Sequence, residues 1–278
     1  MKKINCIFCK TDSTRSCSVE HIIPESIGNV EYTLPAGVVC DGCNNYFSTK
    51  VERPLLELPY FRDMCYRARI RNKKGNPPRV QGIHLQSLIP VDFVPDMEGT
   101  GPSIAATHPE DEKRWINFLG THERGTLVVP VPIPPDEMML SRFLAKVAME
   151  VLAMRLLDVP DGISEIVNRR ELDPLRNYAR RGCGVRFWPF HKRQLYPYDL
   201  TFVESGSAPY EVLHEWTLLY TDHKELYLVL ALFGVEYTLN MGGPELDGYK
   251  NWLRSNPNRS PLYPNGIEGT GPCLPPEA

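Results

Sequence analysis

Residues 6–9 read CIFC, residues 18–29 read SVEHIIPESIGN and residues 37–47 read GVVCDGCNNYF, and these three pieces decide the fold of the N-terminal part of the chain. They contain two Cys-x-x-Cys pairs, whose members are Cys6, Cys9, Cys40 and Cys43. Zinc prefers four tetrahedral ligands, and one Cys-x-x-Cys turn directs two thiolates at one ion. Two such turns close the coordination shell, so the spacing predicts a structural zinc site, with two redox-active dithiols as the alternative interpretation.

The size and composition are typical of a soluble globular protein. The chain has 278 residues, with 42% hydrophobic and 23% charged residues, which favours two domains. A formal net charge of -3 excludes a uniformly basic nucleic-acid coat but allows a local basic surface. The N-terminal residues MKKINCIFC lack the apolar segment of a secretory signal, and the longest apolar run, 226–235, is too short to span a bilayer. We therefore expect a cytoplasmic protein without a membrane partner.

The pattern of apolar residues predicts the α+β fold class. Near the cysteines we expect short strands at 19–23 and 37–39, and a helix over 44–52 that Pro54 ends. We predict three parts: a zinc-braced ββα module at 1–58, a basic linker at 59–80, and a larger α+β domain of unidentified fold at 81–278. The last part is expected to recognise a target or to regulate the first.

Two regular patterns stand out in the larger domain. Residues 136–158 repeat apolar side chains at i, i+3 and i+4, which predicts a helix with Asp136 as its N-cap. Its polar side is expected to carry Arg142, Lys146, Glu150 and Arg155, and we assign it no function. Residues 215–220 and 226–239 alternate like strands, with residues 221–225 as a hairpin loop and a break near Gly234.

Residues 6 to about 53 resemble the HNH endonuclease family, whose core is a ββα-metal finger, in the branch where two cysteine knuckles hold a structural zinc. The resemblance is carried by CIFC at 6–9, EHIIP at 20–24 and CDGCN at 40–44, in that order. It implies an enzyme that hydrolyses phosphodiester bonds in DNA, in a setting such as bacterial or phage defence.

The resemblance also implies roles for Glu20, His21 and Asn44. His21 would be the general base, since histidine has an intrinsic pKa of about 6.5. Glu20 and Asn44 would supply oxygen ligands to a catalytic Mg²⁺ or Mn²⁺. Neighbouring residues of a strand point to opposite faces, so Glu20 and His21 share one site only where the strand bends or ends. The middle asparagine that braces the loop in this family has no counterpart at the usual spacing, although Asn29 and Thr33 lie nearby.

Nucleic-acid contacts are expected at polar and basic side chains beside the module, namely Asn45, Lys50, Arg69, Arg71, Lys73 and Lys74. The basic run from Arg62 to Arg79 is equally well interpreted as a solvated linker. In a second basic cluster, at 169–193, Trp188 and the nearby Tyr196 would either stack on bases or pack a core, and we favour the core.

The expected partner is double-stranded DNA, with an activating ligand or partner protein at the C-terminal domain and a homodimer as one option. Two alternative functions stay open. One is a non-catalytic zinc module that binds nucleic acid or protein, and the other is a nuclease that acts on RNA.

Overall fold

The structure is a computed structural model that describes residues 4–72, 74–97, 101–122, 124–198, 200–202 and 210–267. Contacts within the chain divide it into two units. The first unit comprises Met1–Glu25, Asn29–Leu55 and Asp136–Ala278, and the second comprises Ser26–Gly28 and Leu56–Pro135. The functional division with boundaries at residues 58 and 80 stays a prediction.

Helices and antiparallel strands occur in both units, which confirms the α+β fold class. In chain order the strands are β1 (Glu20–His21), β2 (Thr33–Leu34), β3 (Val80–His84), β4 (Ile89–Val94), β5 (Ser103–Ala106), β6 (Leu127–Val128), β7 (Phe190–Gln194), β8 (Thr201–Phe202), β9 (Tyr210–Glu211), β10 (His214–Tyr220), β11 (Leu226–Leu232) and β12 (Val235–Asn240). The α-helices are α1 (Asp41–Phe47), α2 (Arg53–Leu56), α3 (Pro59–Arg67), α4 (Glu112–Thr121), α5 (Glu137–Arg155), α6 (Gly162–Asn168), α7 (Asp173–Arg181) and α8 (Asp247–Ser255). Among these helices, none is long and apolar enough to cross a membrane.

The N-terminal part of the first unit has the predicted order of strand, strand and helix. Strands β1 and β2 pair antiparallel, with His21 opposite Thr33. The second strand lies at Thr33–Leu34 and not at the predicted residues 37–39. Residues 37–39 form no strand because Gly37 turns the chain with a φ of +96°. Such a φ is open to glycine and costly for other residues, so the segment that follows Gly37 is a turn leading into α1.

The helical segment of this module, which consists of α1, a π-helical turn and α2, extends beyond both ends of the predicted helix at 44–52. It starts at Asp41, directly after Cys40, and Pro54 does not end it. Ser48–Glu52 form a π-helical turn, in which the N–H of Arg53 bonds to the carbonyl of Ser48. Helix α2 then begins at Arg53, directly after this π-helical turn, so Pro54 lies at the junction and the helical chain continues to Leu56.

Helix α5 is the centre of the first unit. Asp136 caps it by accepting from the N–H groups of Met138 and Met139, as predicted. The helix packs against α7 and against strands β10 and β12. The prediction that its charged residues all lie on a polar side is wrong, because Lys146 and Glu150 are completely buried.

The main sheet of the first unit is antiparallel with strand order β10-β11-β12-β7. The predicted hairpin is confirmed: β10 and β11 flank residues 221–225, and β11 and β12 are separated by Phe233 and Gly234. Gly234 has a φ of +76°, and a Cβ there would collide with the carbonyl oxygen of Tyr196. Only glycine therefore fits this turn.

The second unit contains an antiparallel sheet of order β5-β4-β3-β6. Ile89 and Val91 of β4 form a small buried cluster with Trp115 of α4. The indole N–H of Trp115 donates to the carbonyl of Ile104 over 3.3 Å, which fastens α4 to β5.

Candidate metal centre and catalytic site

The four predicted zinc ligands come together in the first unit. The sulfurs of Cys6, Cys9, Cys40 and Cys43 all lie within 4.8 Å of one another. The Sγ atoms of Cys9 and Cys40, which come from different knuckles, are 3.5 Å apart. A tetrahedral zinc with zinc–sulfur distances of about 2.3 Å places its sulfurs about 3.8 Å apart. The donor set and its spacing therefore fit a structural zinc ion.

Main-chain N–H groups point at the sulfurs of this cluster. Phe8 and Cys40 donate to the Cys6 sulfur over 3.4 and 3.3 Å, and Cys43 donates to the Cys40 sulfur over 3.4 Å. A hydrogen bond from the Cys43 thiol to the Cys6 sulfur, together with the N–H groups of Phe8 and Cys40, lowers the pKa of Cys6 to about 5. The same thiol–sulfur hydrogen bond raises the pKa of Cys43. Four thiols so close together compete for negative charge, and a bound dication removes that competition.

Strand β1 carries two of the predicted catalytic residues on opposite faces. Glu20 is 5% exposed and points into the protein, whereas His21 is half-buried. Within the part of the chain that the structure describes, Nδ1 of His21 is enclosed and has no hydrogen-bond partner. The alternation expected for a strand therefore holds, and a site shared by both side chains has to wrap around this two-residue strand.

Asn44, the third predicted residue, lies beside the same strand. It follows Cys43 in α1, and its side-chain amide donates to the carbonyl of Val19 over 3.2 Å. One helix therefore carries a zinc ligand and a polar residue that contacts the chain directly before Glu20. The zinc cluster and the predicted catalytic residues are connected through this helix.

The carboxylate of Glu20 is engaged by a lysine from outside the module. Its Oε1 lies 2.7 Å from the ammonium of Lys146, which belongs to α5. Burial raises the pKa of Glu20, and Lys146 opposes that shift. The second oxygen, Oε2, is enclosed without a hydrogen-bond partner among the described residues. Buried polar atoms are normally paired, so Oε2 is a candidate metal ligand.

Lys146 and its further partners, Glu52 and Glu150, were missed by the sequence analysis. The ammonium lies 2.7 Å from Glu52 and 2.8 Å from Glu150. A signal was available, because Lys146 and Glu150 are four residues apart within a stretch of alanine, valine and methionine. Opposite charges at this spacing form ion pairs on one helix face, and their apolar neighbours point to burial.

Asn29 braces the loop between β1 and β2. It is completely buried, and its amide donates to the carbonyls of Ile23 and Tyr32 over 2.6 and 3.0 Å. Its side-chain oxygen accepts from the N–H groups of Glu31 and Tyr32 over 3.1 and 2.9 Å. The brace left unassigned by spacing is therefore made by Asn29, whereas Thr33 pairs with His21 within the strands.

Two arginines from the C-terminal part of the first unit also contact the cysteine module. Arg176 of α7 is 2% exposed and donates to the carbonyl of Ile7, inside the first knuckle, over 2.6 Å. Arg142 of α5 donates to the hydroxyl of Tyr46, in α1, over 3.0 Å. The module is thus held from α5 and α7 by buried or half-buried cations.

The expected nucleic-acid contacts are exposed where the structure describes them. Asn45 and Lys50 lie on the surface of the first unit. Arg69, Arg71 and Lys74 are exposed in the second unit, and Lys73 lies outside the described residues. These contacts stay a prediction.

The aromatic residues of the second basic cluster belong to the core, which confirms the interpretation we favoured. Trp188 is 3% exposed and donates to the carbonyl of Asn240 over 2.8 Å. Tyr196 is 5% exposed and donates to Glu215 over 2.8 Å. Neither ring is open to stacking on a base.

In the comparison with known protein families, residues 6–58 match a family described as HNH endonuclease. No curated protein and no solved structure matches the chain. The matched segment contains the four cysteines together with Glu20, His21, Asn29 and Asn44. The family resemblance predicted from the motifs is confirmed: residues 6–58 match the HNH endonuclease family and form its four-cysteine module in this chain.

Proposed function

We propose that this protein is a metal-dependent endonuclease that hydrolyses phosphodiester bonds in double-stranded DNA. The observation that carries the proposal is the position of His21 and Asn44 beside a four-cysteine cluster, within the segment that matches the HNH endonuclease family. The proposed setting, restriction or phage defence, rests on the family resemblance alone.

His21 is proposed as the general base. The half-buried imidazole would meet an attacking water with the ring nitrogen other than Nδ1, because Nδ1 is enclosed. Histidine suits this role because its charge changes near neutral pH. The adjacent strand β2 and the Asn29 brace fix the main chain that carries the ring.

Glu20 and Asn44 are proposed to hold a divalent ion through hard oxygen atoms, of which Oε2 of Glu20 is the clearest. When bound, Mg²⁺ or Mn²⁺ would supply Lewis-acid stabilisation to the phosphate and the leaving oxygen. The four cysteines have a different task, since a closed set of thiolates stabilises the module and leaves no ligand position for a substrate.

The proposal is tested by incubating wild type, His21→Ala and His223→Ala with plasmid, single-stranded DNA and RNA in Mg²⁺ or Mn²⁺. His223 is an exposed histidine in the β10–β11 loop and serves as the matched control. We expect wild type and His223→Ala to cleave plasmid equally, and His21→Ala to be slower by about 100-fold or more, the usual contribution of a general base.

Three results decide against the proposal. Intact substrates in every reaction favour a non-catalytic zinc module, and full activity of His21→Ala removes the assigned base. Cleavage of RNA alone favours the RNA-directed alternative. Zinc content is measured on each variant, so that loss of the module is not mistaken for loss of the base.

A further inference from the structure

Lys146 is a buried cation at the middle of helix α5. Its side chain is completely buried, and its sequence neighbours Ala145 and Val147 are buried as well. An ammonium in such a place requires several strong partners to offset its lost hydration. The identity of those partners therefore shows what the lysine holds in place.

Two of these partners are main-chain oxygens of the nuclease module. The ammonium donates to the carbonyl of His21 over 2.9 Å and to the carbonyl of Ile22 over 3.3 Å. These carbonyls belong to the proposed base and to the residue that follows it. Hydrogen bonds from a charged donor are roughly twice as strong as neutral ones, so they restrict this short piece of backbone.

The remaining partners are three carboxylates. Glu20 and Glu52 come from the module, and Glu150 comes from the next turn of α5. Their oxygens lie 2.7, 2.7 and 2.8 Å from the ammonium. Three carboxylates around one cation leave excess negative charge in a buried place unless one of them keeps a proton, so the cluster is poorly suited to stability alone.

We propose that Lys146, which lies outside the family-matched residues 6–58, is a positioning residue for the nuclease site. By holding the carbonyl of His21 and the carboxylate of Glu20 at once, the ammonium sets the direction in which β1 presents the His21 ring. This inference rests on the proposed function of His21. Lys146 itself is completely buried, so it would act through His21 and Glu20 and not by contact with a substrate.

A purely structural role makes a different prediction. If Lys146 only stabilised the fold, folded variants would keep the rate and the environment of His21. If it positions His21, the chemical step slows while substrate affinity is unchanged, because no group that binds nucleic acid is removed. Small displacements of a catalytic group reduce rates by about 100-fold.

The experiment compares Lys146→Met and the double variant Lys146→Met/Glu150→Gln with Glu150→Gln as the matched control. The double variant removes the ammonium together with the carboxyl group of Glu150 that it would leave without a partner, so it is expected to fold even where the single variant does not. Each zinc-loaded protein is measured by NMR of the His21 ring, by kcat and KM on plasmid, and by zinc content.

We expect the double variant to show displaced His21 ring signals, a kcat lower by about 100-fold and a KM within about twofold. Glu150→Gln keeps the ammonium and its bonds to the carbonyls of His21 and Ile22, so it should displace the His21 signals and lower kcat much less than the double variant does. Wild-type His21 signals and kcat in the folded double variant would overturn the inference, and so would an equal effect of Glu150→Gln. Inactive wild type with displaced His21 signals in the double variant would refute the nuclease function and retain the positioning role.

Discussion

Removal of the Asn29 side chain tests its role as the brace of the loop between β1 and β2. Asn29→Ala deletes four hydrogen bonds, two donated to Ile23 and Tyr32 and two accepted from Glu31 and Tyr32. At about 1 kcal/mol for each bond, the loss is about 4 kcal/mol. Glu31 is exposed, so its N–H can be rehydrated, and we expect the free energy of unfolding to fall by about 2–4 kcal/mol.

The assay is urea unfolding followed by circular dichroism, with zinc bound in every sample. Thr33→Ala is the matched control, because Thr33 begins β2 directly after this loop and contributes its main chain to the pairing with His21. We expect Thr33→Ala to change the free energy of unfolding by less than about 1 kcal/mol. Equal effects of the two variants, or no effect of Asn29→Ala, would refute the assignment of Asn29 as the brace.

Three further predictions concern pH, the first knuckle and zinc. Burial raises the pKa of Glu150, so the folded state keeps a proton that the unfolded chain releases. The free energy of unfolding should therefore decrease as the pH rises above about 4.3. Urea titrations between about pH 5 and 8 should show a smaller decrease for Glu150→Gln than for wild type. The same pH dependence in both proteins would contradict the assignment of this effect to Glu150. Arg176→Met removes the bond to the Ile7 carbonyl and should accelerate zinc release to a chromogenic chelator, whereas exposed Arg181→Met should not. Wild type should contain about one zinc per chain, and its removal should unfold residues 6–58, seen as lost amide signals that Mg²⁺ does not restore.

Local patterns predicted much of the fold because their physical causes are local. A Cys-x-x-Cys turn brings two sulfurs together wherever it occurs, so the four-cysteine cluster followed from spacing. The hairpin around residues 221–225 and the Asp136 cap were found for the same reason. The strand expected at 37–39 was wrong because the φ of Gly37 turns the chain there.

The contacts of Lys146 were not predictable in the same way. Helical periodicity assigned this lysine to a polar side, yet its partner His21 is 125 residues away in the sequence. Long-range burial of a charge depends on which surface covers it, and periodicity does not contain that information. The role of Asn29 was missed for a related reason, since a loop brace is defined by the carbonyls it reaches and not by its distance from a motif.

The central proposal is that the module has two metal sites, one closed by four cysteines and one bounded by Glu20, His21 and Asn44. Anomalous diffraction from crystals soaked in Mn²⁺, recorded at the zinc and manganese edges, tests it most directly. We predict a zinc peak among the four sulfurs and a separate manganese peak beside Oε2 of Glu20 and the side chain of Asn44. Manganese absent from that position, or zinc bound there in place of the cysteines, would contradict the account.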